Sequence, residues 1–101
     1  MWGIMKSIED IKGVLVDHKS ELRERFNVKE IGVFGSFVRK EQKRGSDVDL
    51  LVDFFETVDL FMFVELENYL SELLGVKVDL VMKGALKPQL EERILSEAVY
   101  V

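Results

Sequence analysis

One short run constrains this chain more than any other: Asp47-Val48-Asp49-Leu50-Leu51-Val52-Asp53-Phe54. Leu50, Leu51 and Val52 are consecutive. A strand with one wet face cannot hold them, so the run needs apolar cover on both sides. That points to a sheet layered between helices.

The flanking segments supply those helices. Ser7 to about Phe26 reads as a helix, with Ser7 and Asp10 as a capping box and Ile8, Ile11, Leu15, Leu22 and Phe26 at helical spacing. Asn27 would end it. Glu30 to Phe34 is rich in β-formers, and Gly35-Ser36 breaks it. Phe37 to Lys43 reads as a short helix or helical turn. Asp59 caps a helix over Leu60 to Leu74, closed by Gly75. Val76 to Val81 alternates as a strand, with Val76, Val78 and Leu80 on one face and Lys77, Asp79 and Val81 on the other. Leu86 to about Ala98 forms a last helix, with Pro88 tolerated in its first turn. The order α-β-α-β-α-β-α predicts a small α/β layer structure with a three-stranded sheet, one domain over residues 1–101.

Asp47 and Asp49 are two apart at the head of the apolar strand, so strand geometry puts both carboxylates on one face. Charges that close raise each other's pKa unless a cation lies between them. Oxygen-only ligands on a rigid strand suit Mg²⁺. Asp79 occupies a strand centre, where Asp is disfavoured. If the second and third strands are neighbours, Asp79 completes a triad able to hold two divalent ions for in-line attack at a phosphate. The bland alternative is an edge-strand charge that blocks aggregation. At Gly35-Ser36, glycine permits close backbone approach to a ligand, and free amides with a Ser hydroxyl favour phosphate oxygens. Arg39, one turn on, could reach the same phosphates with a bidentate guanidinium. Each feature alone is common; their combination is far more specific.

That combination resembles the signature of the DNA-polymerase-β-type nucleotidyltransferase superfamily: a Gly-Ser, then Asp-x-Asp, then an acidic residue on a later strand. The S-F-V-R after Gly35, S-D-V-D-L-L-V, V-D-L-V and the ending R-I-L-S-E-A-V-Y-V resemble its minimal nucleotidyltransferase (MNT) subgroup. The resemblance covers nearly the whole chain and is weakest before Val28. It implies a three-stranded mixed sheet flanked by helices. It also implies that Gly35 and Ser36 hold a triphosphate, with Arg39 as the arginine that often follows. Asp47, Asp49 and Asp79 would bind metal, and Asp79 would help deprotonate an acceptor hydroxyl. The implied cofactor is Mg²⁺, two ions, with ATP as substrate. Many members have glycine after that arginine, where this chain has Lys40.

MNT proteins often pair with a HEPN-domain ribonuclease as antitoxin and toxin, and can transfer AMP to a tyrosine of the toxin. The resemblance therefore implies a HEPN partner. Two alternatives stay open: an antitoxin that neutralises by binding alone, and a subunit of a small-molecule nucleotidyltransferase of the aminoglycoside type. A chain of 101 residues leaves no room for a separate substrate domain, and it has little stability to spare. Both points favour a partner protein.

Composition narrows the field further. A net charge of −5 argues against a broad nucleic-acid surface. The absence of cysteine excludes disulfides, thiolate zinc sites and a Cys nucleophile, and fits a cytoplasmic setting. No apolar run approaches the ~20 residues of a membrane span. The segment 60–74 carries more apolar residues than one buried stripe needs, so Phe61, Met62 and Tyr69 are candidates for an exposed interface patch or an oligomer contact. His18, Trp2 and the run Lys40, Lys43, Arg44 read as surface or packing residues. Lys40, Lys43 and Arg44 also lie near enough to the site to steer an anion. Arg93 is either surface or a nucleotide contact. Asp53 and Glu56 lie too far along, or on the wrong face, to join the triad.

Overall fold

The computed structural model describes residues 7–41 and 47–101. The expected contributions of Trp2, Lys43, Arg44 and the Ser46 turn lie outside those residues. The elements are α1 (Ile8–Asp17), α2 (Lys19–Phe26), β1 (Val28–Phe34), α3 (Ser36–Arg39), β2 (Val48–Phe54), α4 (Leu60–Leu74), β3 (Val78–Met82), a 3₁₀ turn (Lys83–Ala85), α5 (Pro88–Glu97) and β4 (Val99–Tyr100).

The sheet is mixed, in the order β3-β2-β1-β4. β2 pairs antiparallel with β1 and parallel with β3, with α4 as the crossover. It therefore has four strands rather than the three expected from sequence. The addition, β4, is two residues long, too short for any periodic signal. Val99 and Tyr100 pair with Val33 and Gly32. A Cβ at Gly32 would come within 3.0 Å of the Tyr100 ring and the Val99 carbonyl, so glycine is what lets this strand lie close.

β2 is covered on both faces, as its apolar run requires. Leu50 and Val52 sit under α1, α2 and α4, in a core with Ile11, Leu15, Leu22, Leu66 and Leu70. Leu51 faces the other way, into a smaller cluster with Phe34 and Ile94 of α5. Alternation then sets Asp49, two residues before Leu51, on the α5 side.

Local chemistry explains the element ends. The Ser7 N–H donates to Asp10 Oδ2 at 3.2 Å, and the Asp59 carboxylate accepts from the Met62 N–H at 2.8 Å. Asn27 and Gly75 close their helices in the left-handed conformation. The long first helix expected from sequence is instead two helices. The break falls at His18, whose N–H is shared between the Val14 and Leu15 carbonyls and whose ring lies 2.9 Å from the Val14 oxygen. Helical spacing of the apolar residues continues across the break, so the pattern alone could not reveal it. The exposed β3 edge is covered from α4: Val78 N–H donates to Ser71 Oγ at 3.1 Å and Leu80 N–H to Glu67 Oε2 at 3.0 Å.

On α4 the exposed apolar residues are Leu60, Phe61 and Val64. Met62 and Tyr69 were expected to join Phe61 but pack against the core, Tyr69 with its ring 5.2 Å from Phe26. Among the described residues no helix is long and apolar enough to cross a membrane.

The helix after Gly35 stops at Arg39, short of the expected Lys43, because Lys40 turns left-handed at φ 59° and ψ 37°. Lys40 thus adopts the backbone that the usual glycine would take, at a steric cost. Lys40→Gly is expected to raise unfolding free energy by about 0.5–1 kcal/mol, measured by urea denaturation, with the far-UV spectrum unchanged.

Candidate active site

Parallel pairing of β2 with β3 sets Asp49 directly opposite Asp79, at the end of the sheet nearest Gly35. Antiparallel pairing of β1 sets Phe34 opposite Asp49, so the chain turns at Gly35 over the Asp49 carboxylate. Gly35 has φ 79°, and a Cβ there would overlap Asp49 Oδ2. Glycine is needed twice over, for its backbone conformation and for its lack of a side chain.

Gly35, Arg39, Asp49 and Asp79 line one cleft of about 350 Å³ between the sheet and α5. Phe34, Val81, Leu86, Leu90 and Ile94 form its apolar wall, and Lys87 and Arg93 bring positive charge. Ser36 and Asp47 flank the cleft without lining it. The Ser36 hydroxyl makes no hydrogen bond within the described residues, and the Ser36 and Phe37 amides have no backbone acceptor among them. Asp47 is exposed, its carboxylate 4.0 Å from Lys77 Nζ.

Asp49 has its carboxyl pKa pushed up to about 6. Burial is the largest cause, and the neighbouring Asp79 and then Asp47 add to it; Arg39 opposes the rise. A half-buried carboxylate crowded by two others favours a hard cation. Among the described residues no three His, Cys, Asp or Glu side chains stand as a ready-made metal cage. Asp47, drawn toward Lys77, is the outlying member of the set. The donors nevertheless fit a divalent ion: all are carboxylate oxygens, two sit opposite each other on neighbouring strands, and the third lies two residues before one of them.

Glu97, at the end of α5, has a role that sequence reasoning did not find. Its Oε2 accepts from the Gly35 N–H at 2.7 Å, and its Oε1 accepts from Arg39 Nη1 at 2.8 Å. Burial pushes the Glu97 carboxyl up, but these two donors outweigh it, and its pKa lies below the ordinary value. Arg39 also donates through Nε to Glu41 Oε1 at 3.0 Å. The only hint available from sequence was the presence of Glu97 within R-I-L-S-E-A-V-Y-V, and a contact spanning 62 residues has no local signature.

Asp49 carries a testable stability cost. Its carboxyl holds a proton up to about pH 6 in the folded chain but only to about 3.8 as a free group. The folded state therefore binds more protons across that window, and this residue costs stability progressively as pH rises through it. With divalent ions chelated, Asp49→Asn is expected to stabilise the chain at pH 7.5 by on the order of 1 kcal/mol, discounted for solvent screening, with the gain vanishing near pH 4. Thermal melts at the two pH values check it.

Comparison with known proteins agrees with this geometry. Residues 15–101 match the nucleotidyltransferase domain family. The chain is 58% identical over 97 residues to a protein adenylyltransferase, MntA, of Thermococcus cleftensis, covering 96% of this chain and 98% of that one. A solved structure described as a minimal nucleotidyltransferase superposes with a TM-score of 0.72 at 36% identity, covering 93% of this chain and 98% of the other. A toxin–antitoxin structure with AMP-PNP superposes with a TM-score of 0.68 at 26% identity, covering 91% of this chain and 69% of the other. With its four-stranded mixed sheet and its paired strand aspartates facing a Gly-Ser turn, this chain belongs to the nucleotidyltransferase domain family.

Proposed function

We propose that this chain is a Mg²⁺-dependent protein adenylyltransferase. It would move AMP from ATP to a tyrosine hydroxyl of a HEPN-type ribonuclease partner and thereby act as its antitoxin in the cytoplasm. The observation that carries the reading is Asp49 set beside Asp79 in one cleft with the Gly35 turn. The named activity of the Thermococcus relative supports AMP transfer to protein, and the toxin–antitoxin neighbour with AMP-PNP supports a nucleotide and a toxin partner.

In this reading Asp47, Asp49 and Asp79 hold the divalent ions. When bound, these would neutralise triphosphate charge and lower the pKa of the attacking hydroxyl. The chain's own groups position the reaction. Gly35 shapes the turn, and the Ser36 hydroxyl with the Ser36 and Phe37 amides meets the phosphate oxygens. Asp79 lies on the exposed rim of the cleft, where an acceptor would enter, and takes the hydroxyl proton. The acceptor oxygen bonds to the α-phosphorus as the bond to the bridging oxygen breaks, and pyrophosphate leaves with that electron pair. No covalent enzyme intermediate is needed, so catalysis rests on placement and fixed charge. The exposed Leu60, Phe61 and Val64 offer the partner an apolar face to cover.

Intact mass spectrometry tests the proposal. The chain is incubated with Mg²⁺, each of the four NTPs and a candidate HEPN-type partner protein. The expected result is a gain of one or more AMP units on the partner with ATP, reduced by about a hundredfold or more in Asp47→Asn/Asp49→Asn. A stable complex with no mass gain would leave an antitoxin that acts by binding alone.

A further inference from the structure

We propose that Arg93 and Lys87 are the cationic contacts that receive the triphosphate, while Arg39 is a positioning residue that braces the Gly35 turn. The assignment rests on the adenylyltransferase reading above and comes from tracing each positive charge around the cleft to its partner.

Arg39 is committed twice, to Glu97 at 2.8 Å and to Glu41 at 3.0 Å. One guanidinium facing two carboxylates leaves that group net negative, a poor landing place for a polyanion. Glu97 also holds the Gly35 N–H. Arg39, Glu97 and the turn therefore form one closed clamp that ties β1 to α5. Lys77, the next cation, lies by Asp47.

Arg93 and Lys87 differ from both. They line the same cleft as Asp49 and Asp79, and neither forms a salt bridge with any described residue. The Arg93 guanidinium attracts Glu97 at longer range but makes no ion pair with it, so its donors stay open to a ligand. Here it faces a cleft whose opposite wall is acidic. The cleft thus has two poles, carboxylates on the strands and cations without an ion pair on the α5 side. A metal-bearing polyphosphate has the matching pattern, with a cation at one side and uncompensated phosphate oxygens at the other. A guanidinium can take two such oxygens at once, and an ammonium adds a point charge.

Calorimetric titration with Mg²⁺ and AMP-PNP tests this, with a thermal melt of every variant. Arg93→Ala is expected to weaken binding about tenfold or more, and Lys87→Ala about threefold or more, without a fall in Tm. Arg93→Lys should recover part of the loss. The double variant Arg39→Gln/Glu97→Gln removes the clamp's charges together, so that no bare carboxylate is left beside Asp49. It should melt lower than the wild type yet bind nucleotide at least about threefold more tightly than Arg93→Ala. Binding by Arg93→Ala within about twofold of wild type would overturn the assignment, as would a double variant that loses as much as Arg93→Ala. If the wild type binds no Mg²⁺ and AMP-PNP, the adenylyltransferase reading falls and this assignment falls with it. Undiminished binding by Arg93→Ala overturns this assignment alone.

Discussion

The parallel pairing of β2 with β3 holds the Asp49 and Asp79 carboxylates side by side, and much of the molecule follows from that placement. Like charges at neighbouring strand positions repel, and burial worsens the effect for Asp49. A small domain tolerates this only where the backbone beneath is overdetermined. Here it is. Val48, Leu50, Leu51 and Val52 are almost fully buried, and the helices that bury them come from both faces of the sheet. The apolar run anchors β2 so firmly that its polar head cannot relax by slipping register, because a one-residue slip would turn Leu51 into the wrong layer. The stable core and the strained site are thus two ends of one strand.

Much of this was legible before any coordinates. The run from Asp47 to Phe54 requires two-sided cover, and the structure provides it. The caps at Ser7, Asp59, Asn27 and Gly75 follow from local hydrogen bonding and backbone preference, which sequence records directly. The break at His18 and the helix end at Lys40 escaped because they are backbone turns that side-chain periodicity does not record, and the other misses rest on long-range contact. β4 is two residues that pair with the free edge of β1, where Gly32 leaves room and the Val101 N–H reaches the Ile31 carbonyl. Glu97 reaches Gly35 across most of the chain. The exclusion of Met62 and Tyr69 from the exposed patch depends on how α4 is rotated against Phe26, and an almost continuously apolar helix does not state its own rotation. Arg93, open between surface and site in the sequence, lines the cleft because α5 packs through Ile94 and leaves the residue beside it facing the aspartates.

Lys40 illustrates the opposite case, a departure from the family pattern that changes little. Its backbone is left-handed, the same conformation that glycine adopts without cost. The turn is imposed from outside. The Glu41 N–H donates to the Ser36 carbonyl at 2.8 Å, and the Glu41 carboxylate takes Arg39 Nε. Glu97 holds Arg39 and Gly35 from the other side. With the flanking residues fixed, the residue at position 40 has no other conformation to take.

The arrangement of faces bears on how a partner could be both gripped and modified. Residues Leu60, Phe61 and Val64 lie at the start of α4, which follows the far end of β2 and packs on the sheet face away from α5. Asp49 lies at the near end of β2, on the α5 face. From Asp49 to Phe54 alone a strand advances about 17 Å. A partner seated on the α4 patch is therefore not seated at the cleft, and its acceptor hydroxyl must reach the aspartates from a segment beyond the gripped surface, or from a second copy. Grip and chemistry then act through separate surfaces. Losing the carboxylates should not by itself release a partner held at α4, and losing the apolar patch should not by itself disable the cleft. For the antitoxin role proposed above, neutralisation by binding and neutralisation by modification would, on this geometry, be separable.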